Sequence, residues 1–115
     1  ASGQSAGAGL YDFIMNVAYH VEESGFRSGG PLTMVAMETA ISSERLNRAC
    51  REAYQQLQAV FRDWLAASFP PARAEELAVY MLACIEGGII LSRVYHSGDP
   101  LRQIARELER SLTAL

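Results

Sequence analysis

Apolar residues recur at helical spacing along almost the whole chain, but their arrangement changes from segment to segment. From Leu10 to Ser24, Leu10, Phe13, Ile14, Val17 and Val21 form one stripe, with Tyr11, Met15 and Tyr19 as a second beside it. Gly25 is placed to stop this helix. A glycine-rich turn follows, and Pro31 to Ala40 reads as a short helix carrying Met34 and Met37. Ser42 or Ser43 then caps a long amphipathic helix that reaches Phe69, with Glu44 in its first turn. Leu46, Cys50, Ala53, Tyr54, Leu57, Phe61, Trp64 and Leu65 make its apolar side. Pro70 and Pro71 break it and reverse the chain.

The run from Ala72 to Ser97 differs from the rest. Between Leu77 and Leu91 its only charge is Glu86, and two apolar stripes appear. One holds Leu77, Met81, Cys84, Gly88, Leu91 and Tyr95; the other holds Ala78, Leu82, Ile85 and Ile89. A helix apolar on most of its circumference must be covered on more than one side. Its charged flanks and shortness against the roughly 20 apolar residues of a bilayer span mark it as a core helix. Gly87 and Gly88 each cost about 1 kcal/mol relative to Ala inside a helix, which a close helix crossing would offset. The crossing partner is either a neighbour in the same chain or the same helix of a second subunit.

Gly98 is expected to end that helix, Asp99 to cap the next and Pro100 to start it. Leu101, Ile104, Ala105, Leu108 and Leu112 give the final helix a single stripe. No segment alternates with a period of two. The expected fold is therefore all-α, a five-helix antiparallel bundle over residues 10–115, after a flexible lead-in or tag remnant at 1–9.

Half the residues are apolar and the net charge is −3, which argues against a nucleic-acid surface on this chain. Arg45, Arg48 and Arg51 sit beside Glu44 and Glu52 and read as a solvated face. Cys50 and Cys84 lie on apolar stripes without metal-like spacing, as buried thiols in a reducing cytoplasm would. No signal peptide or membrane span is visible. His20 and His96 are far apart and near helix ends, and no nucleophile–base pair, phosphate loop or ligand set stands out. The reading is of a non-enzyme with no metal and no cofactor. Glu86 in its apolar helix needs an Arg partner, exposure at a groove or a polar group of a ligand. Met15, Met34, Met37 and Met81 with Tyr19, Tyr54, Phe61 and Trp64 are core residues one by one. As a set they suit an adaptable pocket.

The order of these helices, with Gly29-Gly30-Pro31-Leu32, Glu86-Gly87-Gly88, Leu91-Ser92-Arg93 and Asp99-Pro100-Leu101, resembles the C-terminal regulatory domain of TetR/AcrR-type transcriptional repressors. Within that family it looks like the LmrA/YxaF-like subgroup, over residues 10 to 113. The subgroup usually carries Cys where Gly30 stands, so a thiol role there is absent. The helix-turn-helix domain is missing from this chain, so DNA is expected to be reached only through that missing part. The resemblance implies a cytoplasmic homodimer that binds a small apolar effector and thereby relieves DNA binding. Met15, Tyr19, Met34, Met37, Tyr54, Phe61, Trp64, Met81 and Glu86 are its expected ligand contacts. The last two helices are expected to form a four-helix bundle between two copies through Leu82, Ile85, Gly88, Ile89, Leu101, Ile104 and Leu108. The alternatives are a solid-cored dimerisation module without ligand and, further off, a small all-α enzyme.

Overall fold

The computed structural model describes residues 6–27 and 43–114, and among them every regular element is a helix. These are α1 (Ala6–Glu23), α2 (Glu44–Leu65), α3 (Pro71–Tyr95) and α4 (Asp99–Ala114). The short helix expected at 31–40, with Met34 and Met37, lies outside the described residues. The fold is all-α.

Helix ends follow local chemistry, and four of them correct the expectation. α1 begins at Ala6, not Leu10, because Gly7 is buried against the last helix: a Cβ there would lie 3.0 Å from the Glu109 carbonyl oxygen. At its other end Gly25 (φ 69°) takes the left-handed position, with Gly25 N–H donating to Glu22 O and Phe26 N–H to Val21 O. Ser43 is the cap of α2, its Oγ accepting from Leu46 N–H at 3.3 Å. That helix stops at Leu65 rather than Phe69; the N–H groups of Ser68 and Phe69 both turn back onto Leu65 O. The residue that ends α3 is His96 (φ 51°), not Gly98, with Ser97 N–H closing onto Ser92 O. Gly98 instead opens α4, its carbonyl accepting from Arg102 N–H, so Asp99 is a first-turn residue rather than the cap.

The chain divides into two compact units, and α3 contributes to both. The terminal unit comprises Ala1–Ser28 with Ala83–Leu115. Here α1 lies along α4 and the two bury Leu10, Ile14, Ala18 and Val21 against Leu101, Ala105, Leu108 and Leu112. Each such side chain contributes about 1.5–3 kcal/mol of burial where it is Leu, Ile or Val, so this pair carries most of the unit's core. The middle unit, Gly29–Leu82, holds α2 and the first half of α3. It buries Cys50, Phe61 and Leu65 from α2 and Ala74, Leu77, Ala78 and Met81 from α3. Gln58 Nε2 donates to Glu75 at 2.8 Å, and Arg62 reaches the same carboxylate at 3.7 Å. Both ends of the ion pair are solvated, so it orients the helices more than it stabilises them.

Candidate functional site: the two faces of the third helix

From Val79 to Val94 α3 turns one apolar face into the protein and presents another, while Arg73 and Glu76 stand exposed on the outer side of its first turns. Ala74, Leu77, Ala78, Met81, Leu82, Ile85, Ile89 and Ser92 are buried, a single stripe at spacings of three and four. The opposite face carries Val79, Tyr80, Ala83, Gly87, Ile90, Leu91 and Val94, with no charge among them. Ile90 and Leu91 are 40% and 42% exposed and Val94 is 68% exposed. Glu86 and Arg93 sit half-buried along the edge between the faces. The two stripes read from the sequence therefore regroup. Leu77 and Met81 do face inward, but Leu91 and Tyr95 at the far end of the same stripe point to solvent, and Cys84 is only half-buried.

The paired glycines divide between these faces. A Cβ on Gly88 would meet Ile104 Cδ1 at 2.7 Å and Leu101 Cδ2 at 2.8 Å, so α4 crosses α3 there within the chain. A Cβ on Gly87 would meet nothing within 4 Å. Beside the uncharged face runs a groove of about 570 Å³, floored by Leu91, Tyr95, Pro100 and Ile104 and edged by Gln103 and Glu107.

The α1 exit is fastened to the corner between α3 and α4. The Glu22 carboxylate accepts from Gly98 N–H at 3.2 Å and from both Nη groups of Arg102 at 3.0 and 2.9 Å. Arg102 also donates through Nε and Nη2 to Asp99. Hydrogen bonding from Arg102 holds both carboxyls below their usual range, and the pair raises the guanidinium further. A Cβ on Gly98 would come within 2.8 Å of the Glu22 carboxylate, so glycine is what lets the carboxylate reach the backbone. No spacing in the sequence points to this cluster, since Glu22 and Arg102 lie at opposite ends of the chain.

The expected dimer contacts are mostly covered within the single chain. Leu82, Ile85, Ile89, Leu101 and Leu108 are at most 9% exposed within the single chain, and Gly88 is filled by α4. Of that set only Ile104 is half-buried and borders the groove. Among the expected ligand contacts, Phe61 and Met81 are buried in the middle unit, where Tyr54 and Trp64 are half-buried. Met15 and Glu86, in the terminal unit, are half-buried. Tyr19 is 56% exposed and its hydroxyl donates to Glu23 at 3.1 Å. Met34 and Met37 lie outside the described residues. Among the described residues no group of His, Cys, Asp or Glu could hold a metal ion.

α3 is also more membrane-like than its sequence flanks suggested. Its 25 residues include a stretch of mean hydropathy 1.7, enough by length and composition to cross a bilayer, of which 44% is buried inside the protein. The covered share and the edge charges fit a helix that is half core and half contact surface.

Comparison with known proteins places these features in a family. Residues 6–107 match the family described as "Transcriptional regulator LmrA/YxaF-like, C-terminal domain". The HTH-type transcriptional regulator LmrA of Bacillus subtilis is 37% identical over 98 residues, covering 84% of this chain and 52% of that protein. An uncharacterized HTH-type transcriptional regulator of the same organism, YxaF, is 32% identical over 97 residues, covering 84% and 51%. A third, from Mycobacterium tuberculosis, is 34% identical over 97 residues, covering 77% and 49%. The chain thus spans about half the length of the curated relatives it matches. No solved structure matches it.

Proposed function

The chain belongs to the LmrA/YxaF-like C-terminal domain family of TetR-type transcriptional regulators, and from that premise we propose that it is a regulator's effector-binding and dimerisation domain. The observation that carries the dimerisation half is the uncharged outer face of α3. An apolar helix face of this length is covered in a soluble protein, and a second copy covers it at no cost in new sequence. The contact is centred on Gly87, Ile90, Leu91 and Val94 and runs into the groove at Ile104. Two copies of α3 and α4 then form a four-helix bundle.

The effector half rests on family membership and on the soft character of Met15, Tyr54, Phe61, Trp64 and Met81. Tyr19, Met34, Met37 and Glu86 complete the proposed contact set. Flexible thioethers and aromatic rings adapt to varied apolar molecules better than a tight aliphatic core does. A small apolar effector shifts the population of subunit arrangements, and the helix-turn-helix part of the whole cytoplasmic regulator then fits its DNA half-sites less well.

Light scattering at micromolar concentration tests the dimer: twice the chain mass is expected, and a monomer ends this reading. A thermal-shift screen against apolar compounds tests the effector separately, since an effector at a hundred times its Kd adds about 2.7 kcal/mol. A dimer that no apolar compound stabilises would reduce the function to dimerisation alone.

A further inference from the structure

Two residues with side chains hold left-handed backbone in the described chain, Phe26 (φ 65°) and His96 (φ 51°), and they touch one another. Their ring centroids are 5.2 Å apart at a tilt of 40°. A Cβ disfavours this conformation, which is why glycine is the usual residue just past a helix. α1 has its glycine, Gly25, and yet Phe26 repeats the left-handed turn. α3 ends on His96 instead, with Gly98 standing two residues later, where its role is to admit Glu22.

Strained positions persist where their surroundings over-determine them. Here the surroundings are separate fastenings between one stretch of chain and one corner. Glu22 binds Gly98 N–H and Arg102, Arg93 Nε donates to Phe26 O at 3.0 Å, and the Phe26 ring lies on His96. Release would leave no stranded charge. Arg102 already donates to Asp99, and Glu22, 36% exposed, is open to water. The strain favours release and the fastenings oppose it, which is the balance a two-position element needs.

From this arrangement we infer that residues 22–27 form a releasable strap on the α3–α4 corner, opening and closing as one unit. The strap is the last described stretch before the chain leaves the terminal unit at Ser28. The corner it grips follows directly on Val94 and Tyr95, the far end of the uncharged face of α3. A molecule that favours either position of the strap is therefore felt at that end of the face.

Amide hydrogen exchange on the full chain tests the inference. Phe26 and Gly98 amides, which sit on opposite sides of the clasp, should share one opening constant and open at least about tenfold more readily than the α1 amides around Ile14 and Ala18. Glu22→Gln should raise opening at Phe26 about tenfold, although Phe26 does not touch Glu22 through its own fastening, and raise opening at Ile14 and Ala18 by no more than the variant's loss of global stability. Gly98→Ala, which presses on the same carboxylate, should do likewise. Opening at Phe26 that ignores both variants would show independent contacts and overturn the strap. So would a uniform rise along α1, which would make the clasp part of global unfolding.

Discussion

The second half of α3 shares the terminal unit with α4, yet the two helices settle their apolar residues in different ways. α4 is one-sided: Leu101, Ala105, Leu108 and Leu112 face inward, while Gln103, Arg106, Glu107 and Arg110 face water. Its leucines and Ala105 find their cover within the chain, while Pro100 and Ile104 are half-buried. α3 buries one stripe as completely and leaves an equal one uncovered. Composition alone does not separate a core helix from a contact helix; the angular distribution of charge does. A polar face marks a helix whose packing is complete, and its absence marks one that needs a further surface.

The largest expected effect is on the inward side. Gly88→Leu must drive a side chain into Ile104 and Leu101, where even a Cβ has 2.7 Å. Overpacking of about 3 kcal/mol is expected despite better helix propensity, read as a lower urea midpoint with an unchanged slope. A variant as stable as the parent would mean that α4 does not cross there, and the contrast between the helices would lose its inner half. On the outer side, Leu91→Glu with Val94→Glu changes side chains that are 42% and 68% exposed in the single subunit. Helix content should persist while association weakens by a hundredfold or more, about 2.7 kcal/mol. Unfolding of the double variant would show the outer face to be core after all.

A smaller effect sits where α4 has its charges. The Glu22 carboxyl is held below its usual range first by the Arg102 hydrogen bonds and then by the Gly98 N–H. A group whose folded pKa is depressed stabilises the fold above its unfolded pKa and loses that contribution as pH falls through the folded value. Since Glu22 is 36% exposed, solvent discounts the pair to about 1 kcal/mol. Glu22→Gln should cost that much at pH 7 and flatten the loss of stability between pH 5 and pH 3, roughly the window below the usual carboxylate range. Equal acid slopes in both proteins would remove Glu22 as a contributor.

Much of this was legible in the sequence because it is local. Gly25, Ser43 and Pro70-Pro71 set boundaries through their own backbone chemistry, and the α4 stripe needed only its spacing. The all-α class and the family followed from such features taken together. What escaped was non-local or depended on neighbours. The Glu22–Arg102 clasp joins residues 80 positions apart, and no periodicity relates them. His96 closes α3 in a conformation that sequence preference assigns to glycine. The expected dimer residues raise a different point. Leu82, Ile85 and Ile89 are apolar on a two-sided helix, and spacing alone cannot say which side a chain fills by itself. The ligand contacts depend on Met34, Met37 and the neighbours of Phe61 and Met81, which periodicity does not arrange.

The smallest change sharpens the comparison most. Gly87 lies in the interior of α3, and a methyl group added there meets nothing within 4 Å. In an isolated subunit Gly87→Ala should stabilise the helix by about 0.5–1 kcal/mol, the usual advantage of Ala over Gly. In a dimer whose α3 helices cross at that point, the methyl groups of both copies enter the closest part of the contact, and the sign reverses. Melting measured across a range of protein concentrations separates the two. If the variant gains stability at low concentration but loses its concentration dependence, Gly87 is kept for the second copy. If it melts higher at every concentration, the crossing lies elsewhere on the outer face, and the glycine at this position has no packing reason.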